Sequence, residues 1–170
     1  MWVKNKGMLL ESIINKSLKL FNERVGSFFI KRNLDINIFR IDTNNYVYGK
    51  LKTKSQADYY GFYAHKYYDF EAKETKDNVF SLNQIKDHQL NHLLTVHHNY
   101  GYAFVIIAFI NTNSYYAVGI QKLYHLYLRT RKKRIKREWF DSYAIKIELI
   151  FPGIFDWEEL LKKLQQDIEF

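Results

Sequence analysis

The sequence contains no cysteine. This excludes a disulfide framework, a thiolate zinc site and a cysteine nucleophile, and it agrees with a reducing compartment. A single proline and seven glycines leave no Pro/Gly-rich linker at which to divide the chain, and neither an internal repeat nor a low-complexity stretch is visible. Long apolar runs are also missing. The longest, Tyr102 to Ile110, covers nine residues, about half of the roughly 20 that a membrane-crossing helix needs. The N-terminus reaches Glu11 before a signal-peptide apolar stretch develops, so a cytoplasmic protein outside the membrane is expected.

What is present fits a globular chain. At 170 residues, with 47% apolar and 26% charged residues, one domain spanning 1–170 and built on one core is expected. The aromatic share of 18% is mostly Tyr and Phe and, beside abundant Lys, Asn and Ile, reads as compositional bias. Twenty-six Lys and Arg against 18 Asp and Glu give a net charge of +8, which favours a polyanionic partner. Seven of the nine residues from Arg129 to Arg137 are basic, and Ile135 is the one large apolar residue among them. That density suits phosphates better than a membrane surface, where insertion would need apolar side chains.

Periodicity gives an α/β order. Leu9, Leu10, Ile13, Ile14, Leu18 and Phe21 form the stripe of an amphipathic helix over residues 8 to 24. Segments 35–42 and 46–53 have strand composition around Asn44-Asn45 and predict a hairpin arm rich in Lys and Arg. Segments 57–63 and 67–75, joined by Ala64-His65-Lys66, read as an antiparallel pair. Ser81 is placed as N-cap of a helix running to about His97, whose face Leu82, Ile85, Gln89, Leu93 and Val96 turns Gln89 inward. Buried strands follow at 102–110 and 114–120, then a helix from about Gln121 that becomes strongly basic, a strand at 143–150, and a closing helix capped by Asp156.

The chemistry gathers on the second strand of the antiparallel pair. Alternation places Asp69, Glu71 and Lys73 on one face and Phe70 and Ala72 on the other. With the preceding strand antiparallel, Asp58 lies across from this set, and Asp58 and Glu71 become oxygen ligands for a hard divalent cation, magnesium or manganese. Lys73 would stand beside the attacking water and offset the charge that develops on the phosphate. The inward Gln89 could add a metal or metal-water contact. His88 and His92 share a helix face at i, i+4 spacing, but the residues between them supply no glutamate base, which argues against a zinc protease. His97 and His98 are expected at the surface.

These residues resemble the RecU Holliday junction resolvases of the PD-(D/E)xK nuclease superfamily. The resemblance is carried by Ala57-Asp58-Tyr59-Tyr60-Gly61, by Asp69-Phe70-Glu71-Ala72-Lys73-Glu74-Thr75, by Asp87-His88-Gln89 with His92, and by Phe104-Val105-Ile106-Ile107. More weakly, it extends to Gly7-Met8-Leu9-Leu10-Glu11 and to the basic stretch from Arg131. It implies a restriction-endonuclease-like core with a central mixed sheet flanked by helices, Asp58, Glu71 and Gln89 at the magnesium site, and Lys73 as transition-state stabiliser. Glu11 and Asp69 become possible accessory residues. The family's metal-site Thr two residues before the aspartate is Gln56 here, and Ala57 replaces the next Thr; the Pro-Thr-Pro expected near Ile30-Lys31-Arg32-Asn33 is missing.

The resemblance further implies a stalk that projects into a junction centre. Residues 31–54 match it, with Lys31, Arg32, Arg40, Lys50, Lys52 and Lys54 as phosphate contacts, joined by Arg131, Lys132, Lys133, Arg134, Lys136 and Arg137. The function implied is a magnesium-dependent, structure-selective endonuclease that resolves four-way junctions. Paired symmetric nicks ask for two active sites related by a two-fold axis, hence a homodimer. Recombinase and branch-migration proteins are implied partners. Two other readings stay open: a restriction-type nuclease of linear duplex, and a non-cleaving junction-binding recombination partner.

Overall fold

A computed structural model of the chain describes residues 8–52 and 56–170. In chain order the elements are α1 (Met8–Val25), β1 (Phe28–Lys31), β2 (Ile36–Ile41), β3 (Val47–Leu51), β4 (Tyr59–Tyr63), β5 (Lys66–Thr75) and β6 (Val79–Ser81). After a 3-10 turn, Leu82–Gln84, come α2 (Asp87–His98), β7 (Tyr102–Phe109), β8 (Ser114–Gly119) and α3 (Ile120–Thr130). The chain closes with β9 (Arg134–Lys136), α4 (Arg137–Tyr143), β10 (Ile145–Ile147), β11 (Leu149–Ile150), β12 (Ile154–Phe155) and α5 (Trp157–Asp167).

Six strands form one mixed sheet in the order β1-β4-β5-β7-β8-β10. Every neighbouring pair is antiparallel except β5 and β7, and that parallel pair needs the crossover which α2 supplies. β7 is buried along its whole length. Its Phe104, Ile106 and Ala108 enter one core with α1 and α5, where Ile14, Leu18, Trp157 and Leu161 pack, while Val105, Ile107 and Phe109 enter a second with Leu93, Leu123 and Phe140. Helices therefore cover both faces of the sheet, the flanked mixed sheet that the resemblance implies.

The antiparallel pair is as expected. β4 and β5 meet with Tyr59 opposite Phe70, and the turn residues Ala64 and His65 both have positive φ, as a two-residue type I′ connection requires. Lys66 belongs to β5, where it pairs with Tyr63. Gly61 lacks a Cβ for a reason: one would run into the carbonyl oxygen of Phe28 and the ring of Phe29 on β1. The arm also forms. β2 pairs with β3 outside the main sheet, and Asp42 Oδ1 accepts from the backbone N–H groups of Asn44 and Tyr46, each at 2.9 Å, to close its turn.

Several elements differ from expectation. The basic stretch is not helical: α3 stops at Thr130, Arg131 turns left-handed at φ 58°, and Arg134–Lys136 forms a strand against β6. The cause is Ile135, which pairs with Phe80 so that both are buried while Arg134 and Lys136 face outward. Ser81 precedes only the 3-10 turn Leu82–Gln84, its side chain makes no capping bond and its backbone pairs with Arg134; α2 begins six residues later at Asp87, after Lys86 in extended geometry. β1, β6 and α4 were not legible, being short segments without a full period of their own. Asp156 does cap α5, accepting from Glu159 N at 3.2 Å.

Candidate active site

β5 carries the site because its alternation divides its side chains between the two cores. Phe70 stacks on Tyr59 and Phe104 beneath α1 and α5, which leaves Asp69, Glu71 and Lys73 on the side covered by α2. Asp58 lies one step beyond the Tyr59–Phe70 pair, and its Oδ2 accepts from the backbone N–H of Ala72 at 3.1 Å. This bond fixes Asp58 beside Glu71, the juxtaposition that antiparallel pairing predicts.

Glu71 is fully buried. Its Oε1 accepts from Lys73 Nζ and, at 2.6 Å, from Gln89 Nε2, while its Oε2 is buried with no hydrogen-bond partner. An ionised carboxylate oxygen in that position is costly unless something positive meets it. The carboxyl pKa is accordingly pushed up to about 8, by burial first and by the nearby charge of Asp58 second, while Lys73 pulls it back. A bare oxygen of Glu71 beside the half-buried carboxylate of Asp58 suits a hard divalent cation. Among the described residues no group of three or more His, Cys, Asp or Glu gathers as a metal cage, so the candidate donors here are two carboxylates with an amide beside them.

Gln89 reaches the site, but with its nitrogen toward Glu71. Its Oε1 accepts from Lys86 N at 3.0 Å, so acting as an oxygen ligand would require turning the amide and giving up both bonds. In this arrangement Gln89 holds Glu71 in place. Gln56 is exposed, and no hydrogen bond joins it to the cluster among the described residues. Glu11 makes an ion pair with Lys31 at 2.5 Å, both side chains partly exposed.

A residue given as a DNA contact has another partner. The Arg32 guanidinium pairs with Asp69, which is fully buried, and lies 3.3 Å from Tyr67 Oη and 4.3 Å over the ring of Tyr60. His92 and Tyr67 complete the shell, with His92 Nε2 2.7 Å and Tyr67 Oη 2.8 Å from Asp69 Oδ2. Burial, and then the bond to Asp69, push the Tyr67 phenol up to about 12. Asp69 Oδ2 is thus taken up by Arg32, Tyr67 and His92, while its Oδ1 is buried with no hydrogen-bond partner, and Arg32 turns its guanidinium inward as a clamp. The backbone N–H of Arg32 also donates to the carbonyl of Asp58 at 2.8 Å, so one residue grips both site strands. Arg137 is likewise occupied, by Asp141 at 2.9 Å and Tyr116 Oη at 3.3 Å. The sequence offers one trace of such a cluster, the acid Asp69 within an aromatic strand; Arg32 itself lies just past β1, two strands away in the sheet.

The remaining cations stay accessible. Arg131, Lys132, Lys133, Arg134 and Lys136 are exposed, as are Arg40, Lys50 and Lys52 on the arm. Arg40 lies over the Tyr48 ring at 4.7 Å, and Lys52 is 3.8 Å from Asp35. Lys54 lies outside the described residues. His97, expected at the surface, is half-buried and stacked on Phe170 at 5.4 Å.

The family profile described as "RecU: Recombination protein U" matches residues 5–163. The chain belongs to the RecU family. Among RecU relatives, the "Holliday junction resolvase RecU" of Ureaplasma parvum serovar 3 is 48% identical over 162 residues, 95% of each chain. That of Mycoplasmopsis pulmonis is 32% identical over 161 residues, covering 95% of this chain and 96% of the other. The solved structure of Archaeoglobus fulgidus Hjc, a Holliday junction resolvase from an archaeal hyperthermophile, covers 79% of this chain and 94% of its own, with a TM-score of 0.49 and 14% identity.

Within this RecU chain, the raised pKa of Glu71 has a consequence for stability. The folded state keeps a proton up to about 8 that the unfolded chain releases near its ordinary 4.5. Between these values the folded state binds more protons, so stability falls as pH rises through the window. Thermal melts in chelator from about pH 5 to about pH 9 are expected to show this decline, and Glu71→Gln should flatten it.

Proposed function

We propose that this chain is a magnesium-dependent, structure-selective DNA endonuclease that resolves four-way junctions by paired symmetric nicks in recombination and repair. The observation that carries the reading is the buried Glu71, with Asp58 alongside, Lys73 on one oxygen and the other oxygen bare, in a chain of the RecU family. Asp58 and Glu71 would hold magnesium, or manganese in its place, with Gln89 orienting Glu71. When bound, the ion supplies Lewis-acid stabilisation of the scissile phosphate. Lys73 orients the attacking water and offsets charge on the phosphate oxygens. The water oxygen bonds to phosphorus and gives up its proton to solvent, the bond to the leaving sugar oxygen breaks, and that oxygen takes up a proton from solvent.

Residues 1–170 act in this reading as one cytoplasmic nuclease domain with the 31–54 arm inserted. A homodimer would place two sites for the two nicks. The arm supports that assembly: Ile36, Ile38, Phe39, Ile41, Val47 and Leu51 are all exposed, and an isolated two-stranded hairpin is marginal in water. Two observations favour a non-cleaving junction-binding partner instead, namely an exposed Gln56 and a Gln89 that presents nitrogen.

Labelled four-way and linear DNA incubated with the protein would decide. Magnesium and manganese are expected to support nicking of the junction, while calcium should permit binding with little turnover because its coordination is looser. Full activity in excess chelator would remove the metal from the mechanism. Equal cutting of linear duplex would favour a restriction-type enzyme.

A further inference from the structure

On the α2 side of the sheet lies a cleft of about 440 Å³ that the cation-binding cluster does not use. Leu90 of α2 and Leu123 of α3 line it with Tyr124 and Tyr127, as do Lys86, Lys133 and one acid, Asp87. Both tyrosines are half-buried and share one face of α3 at i, i+3 spacing. The volume is in the range that small-ligand pockets occupy, and its character, apolar and aromatic with a few polar groups, is theirs too.

Three observations say what would enter. The exposed cations Arg131, Lys132, Lys133 and Arg134 run along this side, held there by the bond from Leu82 N to Lys133 O at 2.8 Å and by the β6–β9 pairing. The Arg131 guanidinium lies 5.9 Å from the Tyr127 ring centroid. The first turn of α2 is shared with the site, because Leu90 lines the cleft while its neighbour Gln89, bonded to Lys86 N, donates to Glu71. A strand whose phosphates follow the basic segment toward Glu71 therefore passes the cleft on its way, because Leu90 in the cleft wall and Gln89 on Glu71 are adjacent in α2.

We infer that this cleft takes a single unstacked nucleobase of the strand being cut, stacked against Tyr124 and Tyr127 while Lys133 and its neighbours hold the flanking phosphates. The inference rests on DNA as the substrate and goes beyond the nuclease assignment by naming a base-binding specificity site. Aromatic side chains bind bases through their faces, and a branch point offers bases whose stacking is already weakened.

The test is a scan of abasic substitutions along one junction arm, read as binding in calcium, with Lys73→Ala as a second non-cutting background. For the wild-type pocket, one abasic position near the nick should weaken binding by roughly five- to a hundredfold. The double variant Tyr124→Leu/Tyr127→Leu should bind intact DNA only as well as the wild type binds that abasic DNA, and should lose nothing further on it. Equal affinity for the abasic DNA also reports a folded variant. Its salt dependence should be unchanged, whereas Lys133→Gln should flatten it. A pocket loss that persists in the tyrosine variant, or a scan in which no position matters, overturns the inference. Binding with the expected scan but no nicking by wild type in magnesium would overturn the nuclease reading alone, and a failure to bind DNA at all would overturn both.

Discussion

Lys73→Ala, and separately Asp58→Asn, is expected to slow junction nicking by about a hundredfold or more while junction affinity stays within about twofold. The two substitutions act at different points. Removing the Lys73 ammonium takes a positive charge from Glu71 Oε1 and from the place where charge develops on the phosphate. Asp58→Asn keeps the shape that accepts from Ala72 N but removes one of the two carboxylates available to a cation. Neither group belongs to the exposed basic surface, so equilibrium binding should be nearly insensitive to both. Single-turnover nicking of a labelled junction in magnesium, with binding followed in calcium, separates the effects. Wild-type rates in both variants would remove this cluster from the chemistry.

The largest stability effect is expected at the Arg32 clamp. Arg32→Met leaves the Asp69 carboxylate buried beside Tyr67 and His92 without its cation. Breaking one side of a buried pair typically costs about 3–5 kcal/mol. The Arg32 side chain remains 21% exposed, which places the expected loss near the lower end, about 3 kcal/mol. For a chain of this length that corresponds to a fall in Tm of roughly 10 °C. Adding Asp69→Asn to Arg32→Met should restore part of the loss, since the uncompensated charge is gone. Melts of the two single variants and the double variant close the cycle. Additive losses would mean that Arg32 and Asp69 act independently, and an unaffected Arg32→Met with a reduced salt slope for DNA binding would return Arg32 to the phosphate contacts.

Much of the site was legible because strand alternation is a local rule. The order Asp69-Phe70-Glu71-Ala72-Lys73 sends Phe70 into the α1 and α5 core and Glu71 toward α2 whatever else the chain does. The antiparallel return brings Asp58 beside this set, and the turn at Ala64-His65, one residue shorter than the sequence suggests, sets it opposite Glu71. The stripe of α1 and the doubly buried β7 follow from the same kind of reading, since each keeps its apolar pattern over enough residues to be unambiguous, and α5 follows from its Asp156 cap.

Partnership between distant residues was beyond that reading. Arg32 and Asp69 are 37 positions apart, and a cation near the end of one strand looks the same in sequence whether it faces a phosphate or a buried carboxylate. Ile135 turned a basic stretch into a strand only because Phe80 waited opposite it, a contact in which packing overrides local helix propensity. The direction of the Gln89 amide was settled by Lys86 N on one side and Glu71 on the other. Sequence by itself determined the α/β order, the positive charge and the acidic pair with its lysine, because those depend on composition and on short periods. Which cations stay exposed, which carboxylate takes up the Arg32 guanidinium and where a cleft opens were decided by tertiary structure, because burial and pairing are properties of segments brought together from far apart in the chain.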